Sequence, residues 1–328
     1  MKIVKPDAIL IGSENLSAYE KIELIGRTCY KSEDKITDGS AVKFCQAMKN
    51  NGHFAMLEHG IIHLKMYMNA FDELNNALAL YKAADRTDYE APTFLHMTKL
   101  CNDTAIVTGS FRAFYELMSA EPLVANAVGY ALKQEYPEIF DFVVPLENNG
   151  AYVMNDTELK EYIIQSMPVH EINDILSVHL YHTIKFTCNR GVSHEFVRHR
   201  PASFAQESTR YCSYDKGKFG HEITVIKPCF HDECTPQYNI WLESCKQNEE
   251  TYFKLLELGC TPQEARDNLP NSTKTDIVIT ANEDEWKHII ALRMTGTTGK
   301  PHPQMKEVME IAYPLLVKAS NGRLSVNA

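Results

Sequence analysis

The chain has 328 residues, of which 44% are hydrophobic, 10% aromatic and 23% charged, a composition that excludes a disordered or fibrous protein. At roughly 150 residues per domain, it is long enough to bury a core without disulfides. Its 33 lysines and arginines against 43 aspartates and glutamates leave a net charge of −10, which argues against a nucleic acid partner.

The N-terminal segment and the cysteines favour a cytoplasmic location. One short apolar run, Ala8 to Ile11, lacks the core and cleavage pattern of a secretory signal peptide. No stretch reaches the roughly 18 uninterrupted apolar residues of a membrane helix. The nine cysteines are scattered without the spacing of a disulfide framework. We therefore expect a reducing compartment and no membrane partner.

In the first half of the chain, two hydrophobic patterns stand out. Apolar residues at spacings of three and four predict a helix over 14–31, and alternating apolar residues predict a strand over 60–68. Further elements expected here are helices near 40–50, 71–84, 110–119 and 122–135 and a strand over 104–108. The region 70–175 is predicted to be a mainly helical insertion.

The second half begins with a predicted strand over 177–188 that leads into a helix over 191–200. Asn282 is a suitable helix cap. The elements expected after residue 200 are strands over 223–226 and 275–280 and helices over 237–258, 261–269, 284–294 and 303–320. Segments 104–118 and 275–290 share the order strand, cap and aromatic-bearing helix, a faint internal echo.

The densest chemical pattern lies between residues 192 and 211. Planar guanidinium groups bind phosphates through two parallel hydrogen bonds, which suits an anionic ligand. A solvated helix end neutralised by Glu195 and Glu207 would have the same composition, so the residues alone leave both interpretations open. The positive residues of the pattern are Arg198, His199, Arg200 and Arg210.

The order Arg-His-Arg, seven residues, then Ser resembles the signature of the flavin-dependent thymidylate synthase family. It stands at Arg198–Arg200 and Ser208. The resemblance is clear over 14–68 and 177–293 and loose over the last helix. Further matches, in the family's order, are Gly52-His53, Leu57-Glu58-His59, the run from Gly191 to Val197, Arg266, Leu269-Pro270-Asn271, Asn282, His288 and Leu292-Arg293.

The resemblance implies reductive methylation of dUMP to dTMP, with methylenetetrahydrofolate as carbon donor, NADPH as reductant and FAD as hydride carrier. It implies an α+β fold with a mixed, largely antiparallel sheet wrapped by helices. Residues 1–328 would form a single catalytic domain that contains the 70–175 insertion. A homotetramer with active sites shared between subunits is also implied.

The resemblance assigns roles residue by residue. Arg293 resembles the family's activating arginine, whose charge would stabilise the enolate-like pyrimidine. The expected dUMP ligands are Glu195, Arg198, Gln206, Ser208, Thr209, Arg210, Arg266 and Arg293. The expected FAD contacts are Arg198, His199, Arg200, Gln206, Glu58, Asn282 and His288, with His53 in the folate and flavin neighbourhood.

The chain departs from the family pattern at Ala55, where a hydroxyl that contacts FAD is expected. The link over 294–302 is also longer than usual, which leaves His302 unassigned. Two alternatives therefore stay open: a non-catalytic nucleotide-binding protein of the same fold, and a flavoprotein that methylates another uracil acceptor. The net charge of −10 argues against RNA as that acceptor. Arg112, in the echo segment, is a further candidate to reach the site.

Other chemical patterns are weaker. Cys229 and Cys234 form half of a zinc pattern, but structural zinc needs four ligands and no second pair is nearby. His179 and His182 fall in one predicted strand, where their spacing puts them on opposite faces. We therefore expect no metal. Ser208 has no adjacent general base, so we expect it to bind substrate rather than attack it.

Overall fold

A computed structural model describes residues 1–12, 16–84, 95–144, 147–208, 214 and 220–326. The chain divides into two compact units. Unit 1 comprises Met1–Asn15, Leu24–Ile36 and His182–Ala328, and unit 2 comprises Leu16–Glu23 and Thr37–Tyr181.

The strands, in chain order, are β1 (Lys2–Val4), β2 (Asp7–Ile11), β3 (Ile61–Tyr67), β4 (Leu95–Lys99), β5 (Thr104–Ser110), β6 (Ala151–Met154), β7 (Tyr181–Asn189), β8 (Ser203–Gln206), β9 (Thr224–Ile226) and β10 (Lys274–Asn282). The helices are α1 (Ala18–Tyr30), α2 (Ser40–Asn50), α3 (Phe54–Leu57), α4 (Met68–Ala84), α5 (Phe111–Ala120), α6 (Pro122–Glu135), α7 (Asp156–Ser166), α8 (Val169–His179), α9 (Arg190–Phe196), α10 (Pro236–Glu257), α11 (Pro262–Ala265), α12 (Glu283–Ile290) and α13 (Pro303–Ala319).

Unit 2 is built on an antiparallel sheet in the order β4-β5-β3-β6. Side chains of a strand alternate between the two faces of its sheet. Val107 of β5 therefore packs with Leu64 of β3 in one core, together with α4, α5 and α6, while Ile106 packs in a second core with Leu159 of α7 and Leu176 of α8. Helices on both faces explain why β5 is buried along nearly its whole length.

A row of polar side chains, the buried histidine row, crosses the α7–α8 face of this sheet. Its members are Thr98, His179, Thr108, His63 and Asp156, and adjacent members lie 2.8 to 3.1 Å apart. Nε2 of His63 donates to the Asp156 carboxylate, and Nδ1 of that ring bonds to the Thr108 hydroxyl. Thr108 also bonds to Nδ1 of His179, and Nε2 of His179 bonds to the Thr98 hydroxyl. Each ring nitrogen and hydroxyl of the row therefore has a hydrogen-bond partner.

Unit 1 contains a second four-stranded sheet in the order β2-β7-β10-β8 and a separate parallel pair of β1 and β9. Strands β2 and β7 are antiparallel, as are β10 and β8. Thr183 bonds to Thr280 and Thr187 to Asp276, which is the order expected of an antiparallel β7–β10 pair. The largest buried side chain of the core on this sheet is Trp286 of α12, which donates its indole N–H to the carbonyl of His182.

The α+β fold class and its largely antiparallel strands are confirmed, although the strands are distributed over three sheets. The predicted helices over 14–31, 40–50, 71–84, 110–119, 122–135, 237–258 and 303–320 correspond to α1, α2, α4, α5, α6, α10 and α13. Residues 70–175 supply helices and three strands to unit 2, whose sheet also includes β3. That they are an insertion in a single catalytic domain stays a prediction.

Two boundaries were wrong. The strand expected over 177–188 begins only at Tyr181, because α8 continues to His179. His179 and His182 therefore do not share a strand, and the argument from opposite faces does not apply to them. The helix expected over 191–200 ends at Phe196, since the chain turns there to enter β8. Among the described residues, none of the helices combines the length and apolar character needed to cross a membrane.

Candidate active site

The arginine turn, Arg198–Arg200, lies in unit 1 between α9 and β8. Asn189 begins α9, since its side chain accepts the Val192 N–H at 2.8 Å. Phe196 ends the helix and stacks on Phe186 of β7, with ring centroids 4.7 Å apart. The His199 N–H then donates to the Phe196 carbonyl at 3.0 Å, which closes the turn.

The three residues of the arginine turn point in different directions. His199 is buried, whereas Arg198 and Arg200 are exposed. Within the described residues, neither guanidinium group has a hydrogen-bond or ion-pair partner. The planar donors of both groups suit phosphate oxygens.

A second strand–helix junction brings Arg293 to this turn. Asn282 ends β10 and caps α12, where it accepts the Glu285 N–H at 2.9 Å, as its capping role in the sequence predicts. Below α12 the helix widens into a π-helical turn, Ala291–Thr295, that ends at Gly296 with a φ of 79°. Such turns occur often at functional sites because they re-aim a side chain. Here the turn carries Arg293.

Four side chains form a continuous hydrogen-bonded line, the Arg293 row. Nε of Arg293 donates to Nε2 of His199 at 3.0 Å, and Nδ1 of His199 lies 2.9 Å from Oε1 of Glu285. The two terminal nitrogens of Arg293 donate to the Glu195 carboxylate and to its backbone carbonyl, each at 3.0 Å. The row thus joins three predicted site residues, Glu195, His199 and Arg293, to one that the sequence analysis missed, Glu285.

His288, a predicted flavin contact, lies beside the row. Its ring meets the His199 ring edge-on, with centroids 5.6 Å apart, and it is exposed. Among the described residues, His199, Glu285 and His288 form the one group whose ligand atoms lie close enough together to hold a metal. The expectation of no metal therefore has to be judged on the hydrogen bonds of this group.

Gln206 and Ser208 lie where β8 leaves the sheet. The Gln206 amide donates to the Ser193 hydroxyl at 2.9 Å and to Thr275 at 3.2 Å, and the Ser208 N–H lies 3.4 Å from the Cys29 carbonyl. Thr209 and Arg210, two predicted dUMP ligands, lie outside the described residues. Arg266, half-buried, begins a 3₁₀ turn after α11.

A buried ion network, which the sequence analysis missed, fixes the chain between Gln206 and Ser208. Glu207 is buried and accepts from Lys274 at 3.0 Å, while Lys274 and Lys31 both bind the Asp276 carboxylate. The Glu207 N–H also donates to the Asp276 carbonyl at 2.8 Å. Burial alone would raise the pKa of Asp276, but the two lysines outweigh it and lower that pKa to about 2.

The predicted flavin-side residues of the first half belong to unit 2. His53 is exposed and precedes α3, and Ala55 is exposed within it. Glu58 follows α3 and accepts from Arg112 at 2.5 Å, and Arg112 also binds Glu116 at 2.7 Å. Arg112 is thus paired within unit 2.

Comparison with known proteins finds a family model, curated relatives and solved structures that resemble this chain. The sequence model of one family, described as thymidylate synthase complementing protein, matches residues 107–319. Similar curated proteins are flavin-dependent thymidylate synthases of Pyrococcus furiosus (30% identity over 129 residues, 39% of this chain and 50% of that protein) and Sulfurisphaera tokodaii (31% over 175 residues, 52% and 62%). The chain spans about half the length of the curated relatives it matches. A solved structure, a UMP/dUMP methylase PolB from Streptomyces cacaoi bound with 5-Br dUMP, is 13% identical with a TM-score of 0.40, covering 99% of this chain and 96% of that chain.

Proposed function

Because the chain belongs to the thymidylate synthase complementing protein family, we propose that it is a flavin-dependent thymidylate synthase. It would convert dUMP to dTMP, with methylenetetrahydrofolate as carbon donor, NADPH as reductant and FAD as the bound flavin. The observation that carries the proposal is the Arg293 row beside the exposed guanidinium groups of Arg198 and Arg200. Among the described residues, this acidic chain leaves two exposed arginines without a partner next to a half-buried third one that is oriented by hydrogen bonds, an arrangement that supports a site for an anionic ligand.

Arg293 is the proposed catalytic residue. A guanidinium group has five N–H donors, and the row uses three of them. The two that remain, one on each terminal nitrogen, are donors suited to a carbonyl oxygen of a uracil. Negative, enolate-like charge on the pyrimidine makes C5 nucleophilic toward the carbon unit, and a fixed guanidinium would stabilise that charge without reorganisation.

The remaining ligands follow from position and from the family resemblance. Arg198 precedes β8, Gln206 ends it and Ser208 follows it. These three residues would bind dUMP with Glu195, and we propose Thr209, Arg210 and Arg266 as further ligands. The nucleotide phosphate would reach the arginines against the overall negative field of the protein.

The donor set also fits a flavin. FAD carries two phosphates and a ring system, which match the exposed arginines Arg198 and Arg200 and the exposed imidazole of His288. A bound flavin would supply the hydride that reduces the transferred carbon unit to a methyl group. We propose Arg198, His199, Arg200, Gln206, Asn282 and His288 as its contacts, with Glu58 and His53 as further candidates. A homotetramer in the cytoplasm, with sites shared between subunits, completes the proposal.

Product analysis tests the proposed function. The purified protein would be incubated with dUMP, FAD, NADPH and methylenetetrahydrofolate labelled with ¹³C in the methylene carbon. The nucleotides would then be separated and their masses determined by mass spectrometry. We expect dTMP that carries one ¹³C atom and that forms only when FAD is present. Methylation of UMP but not dUMP would favour the alternative acceptor. Nucleotide binding without any methylated product would favour the non-catalytic alternative.

A further inference from the structure

The donors and acceptors of the hydrogen bonds in the Arg293 row can be assigned. An arginine side chain can only donate hydrogen bonds, so Nε2 of His199 must be the acceptor of the bond from Arg293. The ring proton then lies on Nδ1, which donates to the Glu285 carboxylate at 2.9 Å. Glu285 therefore selects the one neutral form of His199 that can receive Arg293.

Glu285 is held in place independently of the ring. It is the third residue of α12, where the partial positive charge of the helix N-terminus favours a carboxylate. Its backbone N–H donates to the Asn282 side chain, so the cap fixes its position along the helix. Glu285 and His199 are both buried, which limits the alternative partners open to them.

The hydrogen bonds argue against a metal in this place. A histidine that binds a metal through one ring nitrogen donates the N–H of the other to a carboxylate, carbonyl or water. In His199 one nitrogen faces the Glu285 carboxylate, but the other faces an N–H donor of Arg293. A cation at Nδ1 would leave the ring no proton to donate and would lie close to the positive charge of Arg293. The group of His199, Glu285 and His288 is therefore better explained as part of the row.

We propose that Glu285 is a positioning residue: through His199 it holds the Arg293 guanidinium in the orientation that the reaction requires. The inference rests on the proposed function for its activity readout, although the tautomer of His199 can be measured without it. Catalysis is sensitive to displacements of a fraction of an ångström, so loss of the Nε2 acceptor lowers the reaction rate more than substrate binding.

The first test compares two substitutions in the same helical turn. Glu285→Gln removes the charge and lets the amide donate to Nδ1, which turns the Nε2 proton toward Arg293. We expect kcat to fall at least about tenfold, with KM for dUMP changed by less than about twofold. Glu283→Gln is the control, because Glu283 is also buried in α12 but binds His182 and Arg323. It should leave kcat within about twofold of the unchanged protein.

The second test reads the tautomer directly and needs no turnover. In protein labelled with ¹⁵N-histidine, the ring signal that disappears in His199→Asn belongs to His199. We expect its proton on Nδ1 in the unchanged protein and in Glu283→Gln, and a shift toward the Nε2-protonated form in Glu285→Gln. This measurement distinguishes failure of the positioning role from failure of the proposed function. If the tautomers are as expected but no dTMP forms, only the proposed function is refuted.

Three results would overturn the positioning role. One is an Nε2-protonated His199 in the unchanged protein, and another is a Glu285→Gln variant with unchanged kcat. The third is a rise in melting temperature on adding Zn²⁺ that Glu285→Gln abolishes, which would assign the group to a metal instead.

Discussion

Arg293 can act on a substrate only through the N–H groups that the protein leaves unused. Arg293→Ala removes all of them and should lower kcat about 10²- to 10³-fold, the usual effect of deleting one charge-stabilising donor. Arg293→Lys keeps the positive charge but lacks the planar set of donors, including the Nε donor, so it should restore little of the rate. Steady-state dTMP formation measures both variants, and the visible spectrum of the bound flavin is the control. Wild-type turnover in Arg293→Ala would contradict the assigned role.

At the level of single residues, most of the candidate site was predicted from the sequence, but only through its resemblance to the flavin-dependent thymidylate synthase family. By composition alone, Arg198 and Arg200 were equally compatible with a solvated helix end. Glu285 could not be found in the same way, because its partner His199 lies 86 residues away in the chain. A local signal did exist, since Glu285 and His288 are three residues apart and therefore share one face of the predicted helix.

Among the elements, the π-helical turn that carries Arg293 depends on Gly296. Its backbone is left-handed, and a Cβ there would lie 2.8 Å from the Gly299 carbonyl oxygen and 2.9 Å from Pro301. Gly296→Ala should therefore lower the free energy of unfolding by more than the roughly 1–2 kcal/mol that left-handed backbone costs. Gly259→Ala is the matched control, since Gly259 has a φ of 93° and open space around its Cβ position. Urea unfolding measures both, and equal losses would refute the steric argument.

The ion network around Asp276 should make the stability of the arginine-rich segment depend on pH. The pKa of Asp276 in the folded protein, about 2, lies below its ordinary value of about 4. Its ion pairs therefore stabilise the fold above about pH 4, and that contribution is lost as the pH falls toward 2. Asp276→Asn should destabilise the protein at pH 7, and the difference from the unchanged protein should shrink below pH 4.

Urea midpoints across this pH range check the prediction. Glu233→Gln serves as the control, because Glu233 belongs to a more exposed pair with Lys227. A pH-independent loss in Asp276→Asn would contradict the ionic explanation.

The elements that the sequence analysis found are those with a strong periodic pattern, such as α1 and β3. It missed β8, a four-residue strand inside the arginine-rich segment, because only pairing with β10 makes that segment extended. It also missed α7, although Asn155 and Glu158 form a capping box that the sequence displays. Strand β8 could not be predicted because it depends on pairing with a distant strand, whereas α7 could have been predicted from its capping box.

At the scale of the whole molecule, the buried histidine row should limit stability in acid. Burial, together with the neighbouring His63 and His96, lowers the pKa of His179 to about 3. Below its ordinary pKa of about 6.5, the unfolded chain therefore binds a proton that the folded protein excludes. Stability is complete above about pH 6.5 and falls toward pH 3 by up to about 1.4 kcal/mol per pH unit.

Substitution of that histidine tests this dependence. His179→Gln keeps one donor and one acceptor for Thr108 and Thr98 but cannot titrate, so its unfolding free energy should vary less between pH 6.5 and 4. His170→Gln, at an exposed position of α8, should retain the dependence of the unchanged protein. Identical pH profiles for all three proteins would show that His179 does not limit acid stability.

The division of the chain into two units was not visible in the sequence, which predicted one sheet. Hydrophobic periodicity shows that a strand has a buried face but not which strand it pairs with. A single sheet was therefore expected, whereas β3 pairs with β5 and β6 in a sheet of its own unit.

The central claim is that this acidic chain holds a flavin and a pyrimidine nucleotide in one site. An anaerobic visible spectrum, recorded while NADPH is added with and without dUMP, tests it most directly. We predict a yellow protein whose flavin absorbance is bleached by NADPH, and faster when dUMP is present. A protein that stays colourless after incubation with FAD would contradict the claim.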